Sequence, residues 1–174
     1  MNEVSIREVK REEIPALAAL AAEIWRQHFP PIVGAPMVEH MLKKFQSEPA
    51  MTRQVTEEGY HYYFLEWEGN PVGYVGVRPE EDSLFLSKFY LRKAYRGRKI
   101  GRKAIDFLVD YCREHHKKRI WLTVNRHNLN PIAAYKKMGF REIRTLKADV
   151  GDGFYMDDFV MEKQVEGENP SGSN

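Results

Sequence analysis

The segment from Phe89 to Ala104 constrains the fold of this 174-residue chain more than any other part of the sequence. An apolar strand pattern runs into a basic turn that carries Gly97 and Gly101, and the turn opens a helix. The first N–H groups of a helix have no partner within it, and the helix dipole adds partial positive charge there. The turn therefore predicts a phosphate site, with glycines that leave room for the ligand. Read alone, a solvated basic helix start explains the segment equally well.

A second segment, from Asn128 to Phe140, changes this balance. Together the two segments resemble the Gcn5-related N-acetyltransferase (GNAT) superfamily, whose Arg/Gln-x-x-Gly-x-Gly/Ala loop holds the acetyl-CoA pyrophosphate. Arg96 and Gly101 match that loop, but Lys99 stands where a glycine is usual. Whether this lysine alters cofactor affinity is left open by the sequence.

The second family motif is an asparagine followed seven residues later by a tyrosine and then by Gly-Phe. Asn128, Tyr135, Gly139 and Phe140 match it. The resemblance covers residues 60–163 and implies an α/β (α+β) acyl-CoA N-acyltransferase fold. In that fold a mixed, mainly antiparallel sheet of about seven strands, with one splayed parallel pair, is flanked by helices. We expect one N-acetyltransferase domain over residues 1–165 and a disordered tail over residues 166–174.

The resemblance implies that acetyl-CoA gives its acetyl group directly to a primary amine of a small molecule in a ternary complex. Tyr135 is the catalytic residue it implies, as the acid that protonates the leaving CoA thiolate; packing beside Phe140 is the alternative. Backbone groups of Phe89, Tyr90 and Leu91 are expected to pair with the pantetheine arm. The full set of cofactor-binding residues is Phe89, Tyr90, Leu91, Arg96, Gly97, Arg98, Lys99, Ile100, Gly101, Arg102, Asn128, Asn130 and Tyr135.

Asn128 and Asn130 have a competing role as helix caps. Asn130 is the better cap candidate, because Pro131 would then take the first helical position.

Several segments look like bacterial spermidine/spermine-type acetyltransferases, which makes a polyamine one expected acceptor. Its ammonium groups need carboxylates, and its methylenes need apolar cover. The acceptor candidates are Glu23, Trp25, Phe29, Tyr155, Asp157 and Asp158.

The general base stays open. No carboxylate occurs in residues 84–89, where many family members carry a glutamate. Glu23, one of the two aspartates or a water chain could serve. Neighbouring strand residues face opposite sides, so at most one of Asp157 and Asp158 faces the cleft.

Composition excludes several other classes. A formal charge of +2 gives no general attraction to nucleic acid, and no run approaches the roughly 18 apolar residues of a membrane span. The single cysteine, Cys112, fits a reducing cytoplasm, and we expect it to be inert core. We expect no metal, no nucleic-acid partner and no membrane association, while a homodimer is left open. An acyl-CoA sensor and a protein or peptide N-acetyltransferase remain alternatives, and a nucleic-acid-binding module ranks well below them.

Hydrophobic periodicity predicts the order of elements. Strands are expected at 4–9, 60–67, 72–78, 83–91, 119–124, 140–150 and 154–164, and helices at 12–28, 37–45, 100–115 and 130–137, with one more before Gly59. The proline-rich stretch from Pro30 to Pro36 is predicted to be a loop.

Overall fold

In the computed structural model, which describes residues 3–165, the chain forms seven β-strands and six α-helices. In order they are β1 (Val4–Glu8), α1 (Ile14–His28), α2 (Pro30–Val33), α3 (Ala35–Phe45), α4 (Glu48–Glu57), β2 (His61–Trp67), β3 (Asn70–Pro79), β4 (Ser83–Leu91), α5 (Ile100–Glu114), β5 (Arg119–Asn125), α6 (Leu129–Lys137), β6 (Arg141–Gly151) and β7 (Phe154–Gln164). The strand order is β1-β2-β3-β4-β5-β7-β6. Strands β4 and β5 are parallel, whereas β1–β2, β2–β3, β5–β7 and β6–β7 are antiparallel. This mixed, mainly antiparallel sheet confirms the predicted fold class, while the predicted tail lies outside the described residues.

The chain divides into two compact units. The first consists of the residues up to Val77 together with Lys88–Ala104, and the second of Arg78–Ser87 together with the residues from Ile105 onward.

Helix α1 supplies much of the core of the first unit. Its apolar residues recur at helical spacing, and Leu17, Ala21 and Ile24 are buried. The helix packs against α3 and α4. Pro15 lies in its first turn, where no helical N–H bond is lost.

The stretch between α1 and α3 is not the loop that its prolines predict. Pro30 and Pro31 take the first two positions of α2, where a missing N–H costs no helical hydrogen bond. Gly34, with a φ of 89°, ends this turn and donates its N–H to the Pro30 carbonyl at 2.9 Å. The prediction of a loop was wrong because proline breaks a helix from its interior and not from its first turn.

The second unit contains the parallel strand pair. Ser83, Leu84 and Phe85 of β4 lie beside Arg119, Ile120 and Trp121 of β5. The pairing requires the crossover through α5, as the sequence predicted. The splay between the two strands stays a prediction.

The core of the second unit includes Cys112, which is fully buried together with Leu108 and Ile120. Burial raises the pKa of the Cys112 thiol to about 11, so the thiol stays protonated at neutral pH. The prediction of an inert core cysteine is consistent with both findings. No helix in residues 3–165 is long and apolar enough to cross a membrane.

Helix α6 corrects the predicted cap. It begins at Leu129 with Asn128 in the N-cap position, so Asn130 and Pro131 are its second and third residues. Proline is accepted there because the N–H groups of the whole first turn lack helical acceptors. The rule that places proline at the first position was therefore too narrow.

Candidate active site

The turn between β4 and α5 has the backbone shape of an anion site. A 3-10 turn spans Lys93–Tyr95, and Gly97 and Lys99 have φ angles of 81° and 64°, while Arg98 between them does not have a positive φ. Alternation of this kind turns successive N–H groups toward one side, in the concave arrangement called a nest. Helix α5 then adds the N–H groups of its first turn and its positive dipole end. The turn is therefore suited to hold a phosphate.

Lys99 keeps the backbone conformation that a glycine would adopt. Its φ of 64° lies in the left-handed region, which costs a side-chain-bearing residue roughly 1–2 kcal/mol. Its carbonyl accepts the Lys103 N–H at 3.1 Å, so Lys99 stands immediately before the helical hydrogen-bonding pattern begins. At Lys99 the backbone therefore takes a conformation that glycine adopts without steric cost, although this residue carries a side chain.

Two of the loop arginines contact protein groups of the first unit. The Arg98 guanidinium lies 5.1 Å from the centre of the Trp67 ring and 5.2 Å from that of Tyr95. A nitrogen of Arg96 lies 3.4 Å from Nδ1 of His28. Cation–π contacts at exposed sites contribute about 0.5–1 kcal/mol each, so they orient Arg98 without holding it firmly. Arg102 is exposed in the first turn of α5.

The side chain of Tyr90, near the end of β4, packs against an aromatic cluster. The ring centres of Tyr90 and Trp25 are 5.4 Å apart, and those of Tyr90 and Phe29 are 5.7 Å apart. Trp25 and Phe29 are only 5% and 8% exposed, which makes both of them core residues. Phe89 packs near Gly101, where an added Cβ would meet its ring at 3.3 Å.

A buried chain of hydrogen bonds extends from this cluster, and the sequence analysis missed it. Trp25 donates to the Tyr74 hydroxyl at 3.0 Å, and Tyr74 donates to the Gln46 side-chain oxygen at 2.6 Å. Gln46 donates to the Tyr62 hydroxyl at 3.1 Å, and Tyr62 donates to Gln54 at 2.6 Å. Burial raises the pKa of both tyrosines. The sequence did contain a signal for this chain, because Tyr62 and Tyr74 occupy inward positions in two adjacent strands. A buried hydroxyl needs a hydrogen-bond partner, so two such tyrosines indicate buried polar partners nearby.

Two of the acidic acceptor candidates are paired with arginines. Glu23 contacts Arg92 through two nitrogens, at 2.9 and 3.1 Å. Asp157 lies 3.0 Å from Arg126. Each pair brings the local charge close to neutral, which weakens its attraction for an ammonium group.

The remaining acceptor candidates differ in exposure. Asp158 is 2% exposed and lies opposite Asn125 of β5 and Leu146 of β6. Tyr155 is 52% exposed, with the Lys147 ammonium 5.3 Å from its ring centre.

Tyr135 lies on α6 in the second unit. Its ring centre is 5.5 Å from that of Phe140, and its carbonyl accepts the Phe140 N–H at 3.0 Å. The side chain as a whole is half-buried, but desolvation of its hydroxyl raises the pKa of that group. The hydroxyl therefore stays protonated at neutral pH.

Asn128 is 6% exposed, just before α6. Its N–H donates to the Asn125 carbonyl at 2.9 Å, and its own carbonyl accepts from Ile132 at 3.2 Å. At the other end of the helix, the Lys163 ammonium donates to the Met138 carbonyl at 2.8 Å. Both ends of the helix that carries Tyr135 are thus fixed by hydrogen bonds.

The candidate residues fall on both units. The first unit carries the β4 end, the basic turn, Glu23, Trp25 and Phe29, whereas the second carries Asn128, Asn130, Tyr135, Tyr155 and the two aspartates.

Comparison with known proteins adds three findings. A model described as the acetyltransferase (GNAT) family matches residues 18–140. An uncharacterised N-acetyltransferase of Lactobacillus delbrueckii subsp. lactis is 25% identical over 173 residues, covering 95% of this chain and 99% of that protein. The spermine/spermidine N(1)-acetyltransferase of Bacillus subtilis strain 168 is 32% identical over 93 residues, which is 47% of this chain and 61% of that protein, less than two thirds of its length.

Among solved structures, the PaiA N-acetyltransferase from Thermoplasma acidophilum in complex with coenzyme A is similar with a TM-score of 0.77 and 20% identity. The match covers 93% of this chain and 99% of that one. At this level of identity the likeness concerns the fold.

Proposed function

Because this chain belongs to the acetyltransferase (GNAT) family, we propose that it binds acetyl-CoA and transfers the acetyl group to a primary amine of a small molecule. The observation that carries the proposal is the turn from Arg96 to Gly101, where two positive φ angles precede the start of α5 among basic side chains. A nest followed by a helix N-terminus favours a diphosphate group, which CoA supplies.

The chemistry places three demands on the residues. The amine must be neutral to attack, although a free alkylamine has a pKa near ~10.4. The thioester oxygen needs a donor where negative charge develops, and the N–H at Leu91 is the group we propose for it. The departing thiolate needs a proton, and we assign that to Tyr135, whose raised pKa keeps its hydroxyl protonated.

The base that takes the amine proton is proposed to be water. Residues 84–89 of β4 carry no carboxylate, and Glu23 and Asp157 are each held by an arginine. A carboxylate in an ion pair has its basicity lowered by the neighbouring cation. A water chain can pass the amine proton on to solvent, and we propose it as the base in place of these carboxylates.

We propose a polyamine as the first acceptor to test, since the Bacillus subtilis relative has that activity in its name. Because neighbouring strand residues face opposite sides, at most one of Asp157 and Asp158 faces the acceptor, and the ion pair of Asp157 with Arg126 makes Asp158 the one that we test first. Because Glu23 and Asp157 are held in ion pairs, acceptors that carry fewer positive charges than a polyamine are also compatible with the site. Amino acids and peptide N-termini therefore belong in the same screen.

The experiment is an acceptor screen in which release of free thiol from acetyl-CoA is followed, and products are identified by mass. We expect thiol release with spermidine or spermine and a product heavier by one acetyl group. Turnover only with amino acids or peptide N-termini would refute the polyamine assignment and keep the acetyltransferase. Binding of acetyl-CoA without turnover of any amine would indicate a sensor.

A further inference from the structure

Strand β3 carries a glycine, Gly73, beside the end of β4. The pairing of β2 with β3 shifts between Leu65 and Glu66, which lie opposite Gly73 and Pro71, so Val72 is an extra residue in β3. Its carbonyl accepts the N–H of Arg92 at 2.8 Å, immediately after β4 ends. This bulge ties the end of β4 to β3.

The backbone of β4 lies where a side chain of residue 73 would stand. A Cβ added at Gly73 would be 2.4 Å from the Tyr90 carbonyl oxygen, 2.7 Å from Cδ2 of Leu91 and 3.1 Å from Cα of Leu91. Two of these three atoms belong to the backbone, so a rotamer change cannot relieve the overlap. Gly73 does not have a positive φ, and the position therefore needs glycine for space and not for backbone conformation.

We infer that Gly73 is a positioning residue that sets where the Tyr90 carbonyl and the Leu91 backbone stand, and so where the pantetheine arm and the thioester are held. The inference rests on the proposed function, because the Tyr90 carbonyl belongs to the same planar peptide unit as the Leu91 N–H, the donor proposed there for the thioester oxygen. A methyl group at residue 73 would need the Tyr90 oxygen to move by roughly 1 Å to reach an ordinary C···O contact of ~3.3 Å. A displacement of that size at a reacting centre costs about 100-fold in rate.

Gly76 offers a matched control in the same strand. A Cβ there would meet the Tyr62 ring at 2.7 Å, so Gly76→Ala also introduces a severe overlap, but with a side chain of β2. Both variants overpack β3, and only Gly73→Ala displaces the end of β4. We expect kcat/KM for acetyl-CoA to fall 10-fold to 100-fold in Gly73→Ala and to stay within threefold of wild type in Gly76→Ala, when both are assayed where they remain folded.

A binding measurement separates positioning from general damage. CoA contains the pantetheine arm, whereas 3′-phospho-ADP contains only the phosphates and the nucleoside. We expect Gly73→Ala to weaken CoA at least fivefold in calorimetry and to leave the Kd of 3′-phospho-ADP within twofold. Equal losses for both ligands, or kinetics of Gly73→Ala that match those of Gly76→Ala, would overturn the inference. Failure of the wild-type protein to bind CoA would instead overturn the proposed function.

If Gly73→Ala is not recovered folded, the same assays are run on Gly73→Ala combined with Leu91→Ala, with Leu91→Ala as the reference. The second change removes the overlap with Cδ2 and keeps the overlap with the Tyr90 carbonyl. The double variant is expected to show the same selective loss of CoA affinity, and an affinity equal to that of Leu91→Ala would overturn the inference.

Discussion

Lys99 stands where the motif has a glycine, and its backbone takes the left-handed conformation. Its φ of 64° is a conformation that glycine adopts without the steric cost that a Cβ brings. We predict that Lys99→Gly raises the free energy of unfolding by about 0.5–1 kcal/mol, because relief of ~1–2 kcal/mol of strain exceeds the extra entropy that glycine loses on folding. Urea unfolding measures the change.

Lys99→Ala is the control for the lost charge, since alanine removes the ammonium but keeps the Cβ. We expect its unfolding free energy to lie within about 0.5 kcal/mol of wild type. Equal stabilisation by glycine and alanine would show that charge repulsion, and not backbone strain, is relieved at this position.

At Tyr135 the prediction concerns the rate of the reaction. Tyr135→Phe is expected to lower kcat about 100-fold to 10,000-fold with little change in the KM for acetyl-CoA, because its proton is needed only as the thiolate leaves. Steady-state kinetics with the best acceptor measures this. A kcat within twofold of wild type, with chemistry rate-limiting, would assign Tyr135 to packing against Phe140.

The pH profile provides an independent check on Tyr135. Burial raises the pKa of its hydroxyl above the ordinary value, so the proton is retained as the pH rises. An ordinary tyrosine, with a pKa near ~10, would begin to lose its proton above pH ~9. We therefore expect no decrease in kcat from this group between pH 8 and ~10.

Among elements, the sheet and the long helices were predictable because each repeats one hydrophobic period over many residues. The elements that were mispredicted depend on one or two local choices. Proline was accepted at the start of α2 and at the third position of α6, since first-turn N–H groups need no helical partner. Periodicity carries no information on which first-turn position a proline takes.

Some features of the candidate site could be predicted from the sequence, and others could not. The turn from Arg96 to Gly101 was predictable because backbone shape and local sequence determine each other there. The pairing of Glu23 with Arg92 and of Asp157 with Arg126 was not, since ion pairs depend on which side chains the fold brings within reach. The hydrogen-bond chain through Tyr74 joins segments far apart in sequence and was missed for the same reason.

That chain predicts a stability effect that depends on pH. Tyr74→Phe leaves the Trp25 N–H and the Gln46 oxygen without the hydroxyl they share, which should cost about 1–3 kcal/mol of unfolding free energy at pH 8. Burial raises the pKa of the Tyr74 hydroxyl well above 10 in the folded state. The unfolded state therefore loses this proton at a lower pH than the folded state does. The contribution of Tyr74 to the free energy of unfolding is fully present below pH ~10 and decreases above it.

The phenylalanine variant has no such proton to lose. The difference in unfolding free energy between wild type and Tyr74→Phe is therefore expected to shrink between pH 9 and pH 11 in urea titrations. A difference that is constant or grows with pH would contradict the assigned role of the hydroxyl.

For the molecule as a whole, the small net charge of +2 makes local carboxylates decisive for a cationic acceptor. We predict that Asp158→Asn raises the KM for spermidine about 10-fold and changes the KM for acetyl-CoA less than threefold. The tenfold change corresponds to the loss of about 1.4 kcal/mol from one ion pair with an ammonium group of the acceptor. Asp157→Asn is the matched control, because neighbouring strand residues face opposite sides and at most one of the two aspartates faces the cleft. Equal effects of the two substitutions would remove Asp158 from the acceptor site.

The central claim is that the turn before α5 binds the phosphates of acetyl-CoA, and calorimetric titration of two substitutions at Gly101 tests it most directly. Gly101→Ala adds only a Cβ, at 3.3 Å from the Phe89 ring, and should change the Kd of acetyl-CoA less than fivefold. Gly101→Glu adds a carboxylate in the first turn of α5, where it repels phosphate, and should weaken binding at least 100-fold in a protein that remains folded. A folded Gly101→Glu variant that binds acetyl-CoA as tightly as Gly101→Ala would contradict the claim.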